Sequence, residues 1–131
     1  MSTLKVNNLQ NTSGGSSSTP EQIEQGRAKV WCLYNGANNS VLDSFNTSSA
    51  TDGGTGAYIA SFTNNLNNVN YSVQLTCSVD HGVDFFFATI GDASGSYTPP
   101  ATTGYVSNNC GSGGSQADTD FLNGTVHGDL A

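Results

Sequence analysis

From Ala28 onward the apolar and polar residues alternate with a period of two, the period of a β-strand. Tyr71–Ser78 is the clearest case. Tyr71, Val73, Leu75 and Cys77 fall on one face, and Ser72, Gln74, Thr76 and Ser78 on the other. That pattern predicts a half-buried antiparallel strand. Further strands are predicted over Ala28–Tyr34, Val41–Ser48, Ala57–Thr63, Val83–Ile90, Tyr105–Ser107 and Phe121–Leu130. Turn residues punctuate them: Asn35-Gly36, the TDGGTG run Thr51–Gly56, and Asp80-His81-Gly82. The last of these is expected to fold Val83–Ile90 back against Tyr71–Ser78. Seven or eight such strands predict an all-β, antiparallel, jelly-roll-like β-sandwich over residues 30–131.

Two strands do not follow the rule. Phe85, Phe86 and Phe87 are consecutive, and Trp31 stands between Val30 and Cys32. Neighbouring strand residues point to opposite faces, so one core can take Phe85 and Phe87 but not Phe86. A sandwich of this size should be polar outside. Trp31 and Phe86 are therefore expected at an interface with another subunit.

The N-terminal segment reads differently. Residues 1–18 hold three spaced apolar positions, Leu4, Val6 and Leu9, followed by a Gly/Ser tract. They cannot form a core, and predict an extended arm. Thr19-Pro20-Glu21-Gln22 then has the form of a helix start, with Thr19 as N-cap, Pro20 in the first helical position and Gln22 three residues after the cap. The helix is short, ending by Gly26. Ile23 is its one large apolar residue and needs a partner surface. Residues 19–29 thus form a junction between arm and body.

Charge sharpens this division. The formal net charge is −7, and the three basic residues, Lys5, Arg27 and Lys29, all precede Val30. The body that follows carries eight Asp and no base. It cannot neutralise phosphates, which argues against nucleic acid and anionic membrane surfaces as partners. Added salt should stabilise association of such bodies by screening their carboxylates. No stretch suits membrane insertion, and no charged-then-apolar signal peptide follows Met1. Cys32, Cys77 and Cys110 are an odd number without C-x-x-C spacing, pointing to reduced thiols rather than disulfides or zinc.

Candidate chemistry is sparse. His81 has Asp80 and Asp84 nearby, but Asp-His-Gly is ordinary turn chemistry, and His127 alternates onto the polar face of the last strand. GDASGSY and GSGGSQADTD are oxygen-rich but lack EF-hand spacing. No nucleophile elbow, Walker loop or zinc-protease motif occurs. The expectation is a non-enzymatic protein with no catalytic residues, cofactor or metal.

The strings LKVNNLQNTSGG, STPEQIEQGRAKVW, SFNTSS and TDGGTGAYIASF resemble fibre-like virion proteins of marine bacteriophages, cyanophages especially. The resemblance covers about half the chain, in residues 1–34 and 44–63. It departs from the family's pattern at Thr47 and Ala57, and leaves no room for a long shaft. What it implies is a viral structural protein, a homotrimeric short tail fibre or appendage subunit involved in host attachment. Such a subunit is assembled into the virion in the host cytoplasm and docks to other tail or capsid proteins by its arm. A capsid decoration knob would fit the same features. So would a carbohydrate-binding module contacting host glycans, for which Tyr97 and Tyr105 are the candidate contacts.

Overall fold

Strand β3 (Val30–Asn35) alternates between buried and half-buried positions, with Val30, Cys32 and Tyr34 facing inward. The computed structural model describes residues 2–78, 87–91, 101–110 and 115–131, with the backbone alone at Phe87, Asn109 and Cys110. Ahead of β3 lie two short strands, β1 (Leu9–Gln10) and β2 (Ser17–Ser18), and helix α1 (Pro20–Gly26). After it come β4 (Ser40–Phe45), β5 (Thr47–Gly54), β6 (Ala57–Phe62), β7 (Ser72–Cys77), β8 (Phe87–Ile90), β9 (Gly104–Cys110) and β10 (Phe121–His127).

Strands β3 to β10 form two four-stranded antiparallel sheets in the orders β4-β3-β10-β7 and β5-β6-β9-β8. Packed face to face, they make the antiparallel sandwich that the period-two pattern predicts. The wiring keeps β3 with β4, β5 with β6, and β8 with β9 inside one sheet. A strict jelly roll would send successive strands to alternate sheets. Two connections differ from expectation. Strand β8 does not pair with β7: it pairs with β9 in the opposite sheet, and β7 pairs with β10. The single strand expected over Val41–Ser48 is also two strands, which break at Asn46.

Asn46 takes a left-handed φ of 55°, a conformation that Asn tolerates better than most residues. There the chain leaves the first sheet and enters the second. The Asn46 side chain holds the crossing in place. Its Nδ2 donates to the carbonyls of Lys29 (3.2 Å) and Asn64 (3.1 Å), and its Oδ1 accepts from the Asn64 backbone N–H at 2.7 Å.

The core has two neighbouring parts. One gathers Val30, Ala60, Phe62, Leu66, Tyr105 and Val126; the other gathers Cys32, Tyr34, Tyr58 and Leu122. Tyr58, Ala60 and Phe62 point inward while Ile59 is exposed, as the alternation predicts. Cys32 and Cys77 carry free thiols. Tyrosines span the space between the sheets. The Tyr34 and Tyr58 rings meet edge to face with centroids 5.3 Å apart, and Phe62 lies 6.1 Å from Tyr71 and 6.2 Å from Tyr105. Their hydroxyls reach the loops. Tyr34 donates to Asn39 Oδ1 (3.0 Å), Tyr58 accepts from the Thr119 N–H (3.1 Å), and Tyr71 Oη lies 2.9 Å from the carbonyls of both Ala101 and Gly104.

Gly124 of β10 lies where the Tyr105 hydroxyl needs room, and a Cβ there would strike that oxygen. Gly124→Ala should therefore destabilise the sandwich by about 1–3 kcal/mol, the usual cost of overpacking. Gly26→Ala, with open space around it, is the control, and urea unfolding of the two variants provides the comparison.

Burial raises the pKa of Tyr34, Tyr58 and Tyr105 and of the Cys32 and Cys77 thiols. In each case the folded chain holds the neutral form beyond the unfolded pKa. Their stabilisation is complete below the thiol and phenol range and is lost as pH rises through it, because the unfolded chain ionises first. The melting temperature should fall between about pH 8 and about pH 11, and Tyr105→Phe should flatten that slope.

Candidate interaction surfaces

The capping box expected at Thr19 is formed: Gln22 N–H donates to Thr19 Oγ1 (3.2 Å), and Thr19 N–H to Gln22 Oε1 (3.0 Å). No residue of α1 is buried, so a seven-residue helix of this kind is stable only if something holds it. Lys29 does so. Its side chain, 3 % exposed, lies against the last turn, donating to the Glu24 carbonyl and, at 2.5 Å, to Glu24 Oε1. A lysine here satisfies an open carbonyl and complements the negative end of the helix. The bond from Lys29 and its charge hold the Glu24 carboxyl below its usual pKa, with Arg27 adding to the effect. The Lys29 backbone belongs to the body, with its N–H on the Val126 carbonyl at 2.8 Å and its own carbonyl on Asn46. One residue thus fixes helix to sandwich.

Against this helix lies the arm. Residues 9–18 fold back as a small hairpin, with Leu9 opposite Ser18 and Gln10 opposite Ser17. The Asn11 side chain closes its turn by accepting from the Gly15 N–H at 2.9 Å. The Gly/Ser tract is therefore structured, although every residue from Ser2 to Ser17 is exposed. Leu4, Val6 and Leu9 line an open groove of about 530 Å³ together with Ile23, and Lys5 and Arg27 lie beside them. Leu4 is 82 % exposed. The predicted arm residues and Ile23 are thus brought together on one apolar surface with cations at its margin.

A second apolar surface lies on the outer side of the first sheet. Trp31 pairs with Phe45 across β3 and β4, and the two line a groove of about 290 Å³ with Arg27 and Ala28. Trp31 is half-buried and Phe45 is 46 % exposed. At the far end of the same sheet Phe121, Val41 and Leu42 are also exposed. Leu42 is the extra residue of a bulge in β4. The sequence reading singled out Trp31 but not Phe45. The signal available was Ser44-Phe45-Asn46, an aromatic directly before a residue that leaves the strand conformation.

Other expected site residues divide between those outside the description and those accounted for. Phe86, Tyr97, His81 and the Cys110 side chain lie outside the described residues. Tyr105 is corrected: it is 5 % exposed, within the core, and its ring is unavailable for stacking on a sugar. Its position opposite Ala60 in the β6–β9 pair turns it inward. Among the described residues, no group of three or more His, Cys, Asp or Glu side chains is placed to share a metal, and no helix is long and apolar enough to cross a membrane.

Phe45→Asp and Trp31→Asp place a charge on the outer face of the first sheet. Phe45 makes little of the core, so Phe45→Asp should melt within a few degrees of the parent, a change of under about 1 kcal/mol. Its self-association should weaken at least tenfold, equivalent to about 1.4 kcal/mol. Sedimentation equilibrium reads this directly, and unchanged association would show that this face is not a contact surface.

Comparisons of the chain with protein-family models, with curated proteins and with solved structures gave no match.

Proposed function

We propose that this chain is a non-enzymatic structural subunit of a bacteriophage particle. In this reading it is a short fibre or appendage protein that docks to other virion proteins by residues 1–18 and oligomerises, as a homotrimer, through its β domain. The observation that carries it is the division of the chain in two. The sandwich has a core of its own, while the arm has apolar side chains and buries none of them. An exposed apolar segment pinned to a stable body is built to be covered by a partner. The resemblance of the arm, the junction and the Ser44–Phe62 region to cyanophage fibre-like proteins supplies the kind of partner. A head-decorating knob uses the same two parts, and location on the particle separates the two. The glycan-binding alternative is weaker, since burial of Tyr105 removes one of its two named contacts.

Deleting residues 1–18 tests this reading. The body should remain folded, with a melting temperature within about 3 °C of the parent, because the arm adds no core. The truncated chain should no longer co-purify with particles when expressed during infection. Incorporation at the normal copy number would refute arm docking, and an unfolded product would make the arm part of the domain.

A further inference from the structure

The fold turns the charge segregation of the sequence into a polarity in space. Strand β3 runs from Val30 at the helix end to Asn35 at the far end, and β10 returns from Phe121 to His127. The helix end therefore carries α1, Arg27, Lys29 and the arm with Lys5. At the far end the turn after β3 is bonded to Asp120, with Gly36 N–H on its carbonyl at 2.9 Å. Asp118 accepts from the Gly56 N–H at 2.7 Å in the neighbouring turn. Asp52 lies on β5 opposite Tyr58 in the same region. Every base of the chain is thus at one end or in the arm attached to it, and the far end is acidic and carries none.

The two ends also match in apolar character. The arm groove presents Leu4, Val6, Leu9 and Ile23 beside Lys5 and Arg27. The far end presents exposed Phe121 next to Asp120, and exposed Val41 and Leu42 next to Asp43. Of the arm-side bases, Arg27 and Lys29 are both paired with Glu24, which leaves Lys5 to project the charge.

We propose that the arm-and-helix surface of one copy docks on the Phe121/Val41/Leu42 surface of a second copy. This is a head-to-tail contact between copies of the chain. It rests on the structural-subunit reading above and adds an axial contact to the lateral one through Trp31 and Phe45. The two surfaces differ, so the contact is heterologous, and such contacts propagate into rings or open filaments rather than closing as dimers. Salt separates the two kinds of contact. Lateral association of acidic bodies strengthens as salt screens their repulsion, whereas a cation-to-carboxylate axial contact weakens.

Capped variants of the full chain provide the test, by sedimentation velocity. Leu4→Asp with Lys5→Asp spoils the arm surface alone, and Asp120→Lys with Phe121→Asp spoils the far end alone. Circular dichroism confirms the fold of each. At about 20 mM NaCl the parent should grow with concentration beyond its closed oligomer, and in about 0.5 M NaCl that growth should reverse as the Debye length falls to roughly 4 Å. Each capped variant alone should stop growing. With Phe45→Asp added to both to remove the lateral contact, an equimolar mixture should give a heterodimer that neither forms alone. Absence of that heterodimer, or growth that increases with salt, overturns the axial contact. Those outcomes leave arm docking to a virion protein standing, because that reading is decided by whether the truncated chain enters particles.

Discussion

The sandwich depends on tyrosines that fill its core and tie down its loops at once. A body with no Lys or Arg cannot join its loops to its sheets by internal ion pairs to those side chains. The rings of Tyr34, Tyr58 and Tyr105 bury large apolar areas between the sheets, each worth on the order of 1.5–3 kcal/mol. The hydroxyls of Tyr34 and Tyr58 bond Asn39 and Thr119 in turns at the far end, and that of Tyr71 lies against the segment entering β9. Each phenol thus holds two layers together and fixes a connection. The space each needs is supplied by its neighbours, most plainly by Gly124 opposite Tyr105.

The helix end is organised differently, by polar groups whose backbone and side chain serve different elements. Lys29 contributes its backbone to the body and its ammonium group to the helix. Asn46 bonds the Lys29 carbonyl and the Asn64 segment while carrying the chain from one sheet to the other. Helix, sheet crossing and Asn64 loop therefore meet through two side chains. The arm is held only by the short helix and its own hairpin, so its orientation follows from Lys29 more than from any packing of Leu4, Val6 or Leu9.

Polarity of charge and polarity of apolar exposure coincide in this molecule. Cations sit with the exposed arm, and carboxylates sit with the exposed far end of the first sheet. A single copy leaves both surfaces uncovered. Structural proteins that work by repetition need such surfaces at opposite ends, and that logic links the proposed function to the proposed axial contact.

The sequence by itself determined the fold class, the short capped helix and the separation of a basic arm from a base-free body. Those features are local: side-chain alternation, the Thr19-Pro20 start and the order of charges are all written along the chain. The inward face of Ala57–Phe62 was legible for the same reason. Strand pairing was not, because it is decided by contacts distant in sequence. The Asp80-His81-Gly82 turn suggested a hairpin between β7 and its successor, yet β7 completes the first sheet beside β10 and β8 joins the second. The break at Asn46 was also hidden, since a left-handed φ at one Asn leaves the surrounding alternation intact. Tyr105 shows the remaining limit. Its neighbourhood in sequence is polar and loop-like, and only pairing with Ala60 turns its ring into the core. Alternation tells which residues share a face, but which face becomes the interior is settled by the sheet that packs against it.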